Sequence, residues 1–258
     1  NMAPMDMERF AILASNNMYY QYMRNSFFIN SGNGHFSDVA NYAGVDQTDW
    51  SWSVLFGDYD LDTDDDLLVA NGWLKDTQDK DFSNKSNALA SQSKNRISFE
   101  QVSALLKSTP ISNYAFEYGG DLKFKKVSKD WGFDTKGFSN GMSTGDLDND
   151  GDLDVVINNM NGVASIYKNN TNQSNYLKIK LKGQKGNLAG LNSKVSLYQD
   201  QNIQHKEFQV SRGFQSSVDP LLHFGLKGEN IDSIKITWSN GQSQKVTGLK
   251  GGQTLIIN

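Results

Sequence analysis

Two stretches of the chain carry aspartate at every second position. Residues 146–154 hold Asp146, Asp148, Asp150, Gly151, Asp152 and Asp154, the pattern D-x-D-x-D-G-x-x-D. Alternate carboxylates in a tight loop converge on one point while the residues between them turn away. Ca²⁺ suits such a loop, because it takes six to eight oxygens in a flexible geometry and accepts backbone carbonyls among them. The expected ligands are side-chain oxygens of Asp146, Asp148, Asp150 and Asp154, with the carbonyl of Asp152. Gly151 gives the turn a backbone freedom that a residue with a Cβ resists. An EF-hand would need Glu at loop position 12 and a helix after it. Ile157 stands there, in an apolar stretch, so the pattern is read as a strand–loop–strand site. Residues 58–66 repeat the arrangement with Asp58, Asp60, Asp62, Asp64 and Asp66, but Thr63 takes the glycine position and Asp65 adds a charge. Ca²⁺ is expected there too, with altered geometry or affinity. Carboxylates crowded this closely repel one another unless a cation joins them.

The two windows start 88 residues apart, and that offset extends well beyond them. Asn25 matches Asn113, Phe28 matches Phe116, Gly32 matches Gly120, Phe36 matches Phe124, Val39 matches Val127 and Gly44 matches Gly132. Glycines, aromatics and aspartates recurring at one offset mark two copies of a supersecondary unit. Each copy reads as about four short strands, the content of a propeller blade. The first has 25–30, 36–39, 53–56 and 67–70; the second has 115–118, 122–127, 141–144 and 154–158. Between them, residues 73–112 are polar, with a helical patch at 98–107 ended by Thr109 and Pro110. The leader from Met5 to Met23 has helical spacing, and its Met and aromatic stripe is expected to pack on the next blade. Alternation at 176–181 and 234–238 marks strands in a separate C-terminal module.

Composition narrows the function classes. The chain has 258 residues and no cysteine, which excludes a disulfide scaffold, an Fe–S cluster and a thiol nucleophile. No apolar run reaches the ~18 residues of a membrane helix. The net charge of −4 conceals −10 over residues 1–173 and +6 over 174–258. Two bound Ca²⁺ would bring the formal total to zero. The basic module invites a nucleic-acid reading through Lys178, Lys180, Lys182 and Arg212. A solvated lysine face, or docking against the acidic blades, explains the same charge and is preferred. His223, between Leu222 and Phe224, is read as a structural histidine rather than a base. Trp50, Trp52 and Trp73 bracket the first acidic loop and are assigned to core packing over sugar stacking.

The loops and their strands resemble FG-GAP/VCBS repeats, the calcium-binding blade units of integrin-like propellers; Phe56, Gly57 and Asp58 supply the "FG" start. Residues 190–195, 211–214, 223–226 and 238–241 resemble the ASPIC/UnbV domain that follows such repeats in the CRTAC1-like family. Residues 20–45 and 48–52 are similar to its Bacteroidetes surface members. The resemblance implies an all-β fold: propeller blades with short helical insertions, then a β-rich C-terminal domain. The chain is expected to be the C-terminal part of a larger propeller protein. The boundaries are a leader at 1–24, a first blade at 25–72, an insertion at 73–112, a second blade at 113–173 and the ASPIC/UnbV-like domain at 174–258. The implied function is a non-enzymatic, calcium-binding recognition module. It would be exported to the surface of a Gram-negative cell or secreted, without itself crossing the membrane. A protein partner is expected, such as a TonB-dependent transporter or its surface lipoproteins in a nutrient-uptake assembly, with a glycan or peptide ligand. A polysaccharide-active enzyme or enzyme subunit is the alternative, and nucleic-acid binding the third reading.

Overall fold

The computed structural model describes residues 7–18, 22, 24–77, 79–93, 97–171 and 175–258. The ends of the leader stripe, Met5 and Met23, and the boundary at 173–174 lie outside them. In chain order come α1 (Met7–Ser15), the hairpin β1 (Phe28–Asn30) and β2 (Phe36–Asp38), the single turn α2 (Ala40–Ala43), β3 (Ser51–Gly57) and β4 (Asp66–Asn71). The insertion holds α3 (Lys80–Gln92) and α4 (Phe99–Leu105). There follow β5 (Ile111–Ser112), β6 (Tyr114–Tyr118), β7 (Phe124–Lys126), β8 (Lys136–Gly137), β9 (Ser139–Gly145), β10 (Asp154–Asn159) and β11 (Ser165–Tyr167). The C-terminal module is β12 (Tyr176–Leu181), β13 (Lys194–Gln199), β14 (Asn202–Glu207), β15 (Leu222–Gly225), β16 (Asn230–Thr237), β17 (Ser243–Lys250) and β18 (Gln253–Ile257). The fold is mostly β, in several sheets, with few helices.

Each acidic loop closes an antiparallel hairpin. Gly57 faces Asp66 across β3 and β4, and Gly145 faces Asp154 across β9 and β10. The four-stranded sheet β3-β4-β6-β7 draws its first two strands from one copy of the repeat and its last two from the other. Sheet and repeat are thus out of phase. The hairpin β1–β2 is the first-copy counterpart of β6–β7. The second copy supplies the three-stranded sheet β11-β10-β9.

Burial explains the stacking. Every residue of the central strand β4 is buried, so it has no solvent face. Leu68 and Ala70 join Leu55, Ala115, Met142, Val155 and Ile157 in the core between the two blade sheets. Leu67 and Val69, one residue out of step, join Ala40, Ala43, Val45 and Phe116 on the opposite face. In the C-terminal module, β15-β12-β18 and β14-β13-β16-β17 pack face to face around Leu177, Ile179, Leu197, Phe224, Ile234 and Ile236.

The helical patch becomes α4, where Ser98 and Gln101 form a reciprocal capping box. Helix α3 is longer than that patch and buries none of its residues, so it left no apolar stripe to read. The leader stripe differs from expectation: Met7 and Ile12 of α1 are mostly exposed rather than packed. The tryptophans stack on one another, half-buried and outside the blade cores. Trp73 stacks on both Trp50 and Trp52, and Trp52 meets Phe214 of the C-terminal module at 4.6 Å. Leu68→Ala should cost about 2–5 kcal/mol in chemical denaturation, since it empties space between two sheets. Val54→Ala, on the exposed side of β3, should stay within about 0.5 kcal/mol.

Candidate metal centre

The two acidic loops share one backbone design. Asp58 accepts from the N–H of Asp62 and of Thr63, both at 3.0 Å. At the equivalent place, Asp146 accepts from the N–H of Gly151 at 3.0 Å. Asp66 accepts from Tyr59 N at 3.1 Å, as Asp154 accepts from Leu147 N at 2.8 Å. Left-handed backbone falls at matching positions: Leu61 and Thr63 in the first loop, Asn149 and Gly151 in the second. Thr63 has φ 89°, so the β-branched residue does take the conformation that glycine takes in the other copy.

Not all ten aspartates converge. Oxygens of Asp58, Asp60 and Asp62 lie within 4.8 Å of one another, as do those of Asp146, Asp148 and Asp154. Asp66 is turned to backbone donors, Tyr59 N and Tyr118 N. Asp64 is exposed. Asp150 is exposed and lies 3.5 Å from Lys168 Nζ, which also pairs with Asp148. The side chain of Asp152 is buried, with Oδ2 accepting from Thr171 N at 3.0 Å.

The loops leave negative charge unanswered. Asp146 Oδ1 and Asp152 Oδ1 are buried without a hydrogen-bond partner among the described residues. Burial pushes the carboxyls of Asp58 and Asp152 up to about 7 and that of Asp66 up to about 8. Burial and the charge of Asp62 also raise Asp60. Asp148 moves the other way, held down by its hydrogen bond to Lys168. A converging triplet that includes Asp146, whose Oδ1 is unbonded among the described residues, fits a hard, oxygen-seeking cation.

The C-terminal module covers both loops. In the sheet β15-β12-β18, Leu177, Ile179 and Phe224 point into that module's own core. Strand alternation then sends Tyr176, Lys178, His223 and Gly225 to the other face. Lys178 lies opposite His223 in the ladder, and Tyr176 opposite Gly225. Lys178 Nζ meets Asp146 Oδ2 at 2.5 Å, with both side chains buried. His223 Nε2 lies 2.8 Å from the Gly151 carbonyl, and burial lowers this imidazole to about 4. A Cβ on Gly151 would stand 2.0 Å from the ring of Tyr176. A Cβ on Gly225 would stand 2.0 Å from Asp58 Oδ2. Further contacts join Asn202 to the Thr63 hydroxyl at 2.9 Å and Lys206 to Asp65 at 2.7 Å.

A strap between β14 and β15 completes the junction. Arg212 donates to the Phe56 carbonyl at 2.7 Å, Phe214 N to Ser53 Oγ at 3.2 Å, and Asp219 N to the Thr144 carbonyl at 3.2 Å. Residues 141–145 read G-x-S-x-G, the spacing of a nucleophile elbow. Ser143 nevertheless sits inside β9, with no helix after it, and its hydroxyl donates to the Ser217 carbonyl at 2.6 Å. That is a docking contact in a strand.

These positions correct the solvated reading of the lysine face. Lys180 and Lys182 are exposed, but Lys178 is buried on Asp146. Sequence reasoning passed over Tyr176, Lys178, Asn202 and Gly225 as parts of the site. Their only signal was the contrast between an acidic N-terminal part and a basic C-terminal one.

The site and fold define a class: propeller-type blades with acidic hairpin loops, capped by a β-sandwich module. The FG-GAP-like repeat family matches residues 11–69, and the "ASPIC and UnbV" family matches residues 183–258. The chain has the FG-GAP plus ASPIC/UnbV architecture of the cartilage acidic protein 1-like proteins. It is 25% identical over 249 residues to cartilage acidic protein 1 of Mus musculus, covering 84% of this chain and 38% of that protein. The protein of that name from Xenopus tropicalis is 24% identical over 249 residues, with the same coverage. The chain therefore spans well under half the length of these relatives. Among the described residues, no helix is long and apolar enough to cross a membrane.

Lys178→Met should destabilise the protein by about 3–5 kcal/mol in chemical denaturation when no metal is added, because it strands a buried carboxylate. Gly225→Ala should lower the midpoint as well, by driving β15 off Asp58, whereas Gly228→Ala, with open space around it, should not.

Proposed function

We propose that the protein is a calcium-stabilised, non-catalytic recognition module working outside the cytoplasm. One observation carries the calcium part. Each loop gathers three carboxylates within 4.8 Å, and the second adds buried, unpartnered oxygens on Asp146 and Asp152. Among those oxygens a divalent cation would replace protons or lysine as the balancing charge. The two ions would lie under the C-terminal module, so calcium would hold both the hairpin ends and the surface on which that module docks. The resemblance of residues 20–45 and 48–52 to Bacteroidetes surface proteins supports a place on a Gram-negative cell surface. It also supports partnership with a TonB-dependent transporter in nutrient uptake. Recovery of the native assembly from membranes tests this part, and a chain recovered alone and soluble would refute it.

Nucleic-acid binding is not proposed, because Lys178 and Lys206 are paired with carboxylates of the blades. One observation favours an enzyme acting on polysaccharide: Glu207 and Asp219, carboxylates outside both loops, line a common cavity. Three basic side chains share that cavity, which suits a charged ligand better than a neutral sugar ring.

With site dissociation constants of about 10⁻⁴–10⁻³ M, about 10 mM Ca²⁺ should add roughly 1.4–2.7 kcal/mol per site relative to EDTA. Thermal melts should show a reversible rise, and equilibrium dialysis should count two ions per chain. Asp58→Asn or Asp146→Asn should each remove one ion. Unchanged melts and no bound calcium would refute the reading.

A further inference from the structure

Between the blade ends and the C-terminal module lies a cavity of about 310 Å³, near the lower end of small-molecule sites. Its charged lining is of two kinds. Lys178 and Lys206 are already paired with Asp146 and Asp65. Arg212 has only its bond to the Phe56 carbonyl and no carboxylate partner among the described residues, so several of its five donors remain free. Asp219 is anchored through its backbone N–H on the Thr144 carbonyl, while its carboxylate makes no hydrogen bond or ion pair among the described residues. His223 lines the inner end of the cavity, held by the contact of Nε2 with the Gly151 carbonyl, and its Nδ1 is buried. Phe56, Leu153, Val218 and Leu221 supply an apolar wall. His205 and Glu207, two residues apart on β14 and both exposed, form the solvent rim.

A guanidinium with donors to spare, a carboxylate without a hydrogen bond among the described residues and an apolar wall are complementary to one kind of small molecule. We propose that this cavity binds a zwitterionic aliphatic α-amino acid or dipeptide, its carboxylate on Arg212 and its ammonium on Asp219. Arg matches a carboxylate through two parallel N–H bonds. Binding here would span the two modules, because Arg212, Asp219 and His223 come from one, and Phe56 and Leu153 from the other. The inference rests on reading the protein as a recognition module and specifies what it recognises.

Titration calorimetry on the whole chain in calcium buffer tests it, with L-leucine and L-leucyl-L-leucine as probes beside N-acetyl-L-leucine and L-leucinamide. One-to-one binding of leucine or dileucine is expected, and the tighter of the two identifies the source. Acetylation or amidation should weaken binding at least tenfold. Asp219→Asn should do the same with an unchanged melting temperature, and Arg212→Met should do the same while also lowering the melting temperature through the lost bond to Phe56. If Arg212→Met fails to fold, Arg212→Lys keeps the charge without the fork and should still weaken binding. No saturable heat from either zwitterion would overturn the proposal. Equal binding of the blocked forms, or folded variants that bind as wild type does, would overturn it too. Melts in EDTA without amino acid score the calcium reading separately.

Discussion

Burying aspartate carboxylates at a domain junction is the constraint on which this structure depends. A carboxylate leaving water needs donors or a countercharge, and the loops provide both in layers. Backbone N–H groups answer first, at Asp58, Asp66, Asp146 and Asp154. Lysines answer next, with Lys178 on Asp146 and Lys168 on Asp148. Asp146 Oδ1 and Asp152 Oδ1 are left without a hydrogen bond among the described residues. The C-terminal module contributes to the burial, so its docking and the charge state of the loops are one equilibrium. Anything that neutralises the loops favours the closed junction, and anything that opens the junction rehydrates the loops.

The out-of-phase sheet serves the same end. Because β3-β4-β6-β7 takes strands from both copies of the repeat, the first acidic hairpin is completed by the neighbouring copy. The second, β9–β10, is extended by β11 of its own copy. In the first blade, Asp66 caps β4 and also accepts from Tyr118 at the far end of β6. One carboxylate thereby ties the loop to a strand of the next copy. The long insertion leaves between β4 and β6, so its helices can hang outside without disturbing the ladder.

Much of this was legible in the residues. The 88-residue offset located the paired strands to within a few positions, because glycines and aromatics at turn and core positions are set by local backbone and burial. The alternation of 176–181 matched β12 to the residue. The phase of the sheet was not legible, since hydrogen bonding between strands leaves no trace in either strand alone. Lys178 was misread for a related reason. Alternation places it opposite Leu177, on the face that is ordinarily wet, and only the partner surface makes that face dry. Around Arg212 and His223 the residues suggested a basic face and a structural histidine; in the fold both are docking elements.

The two loops are not interchangeable copies, and Thr63 shows why. In the second loop the absence of a side chain at Gly151 leaves room for the ring of Tyr176, which stacks beside His223 at an interplanar angle of 8°. In the first loop the equivalent position carries a side chain in the same left-handed region, at a cost of order 1 kcal/mol or more for a β-branched residue. Its hydroxyl accepts from Asn202 at the start of β14. The close approach is supplied from the other side, where Gly225 lies against Asp58. Each loop therefore has one close approach to the sheet β15-β12-β18 across a glycine, which belongs to the loop in one case and to the module in the other.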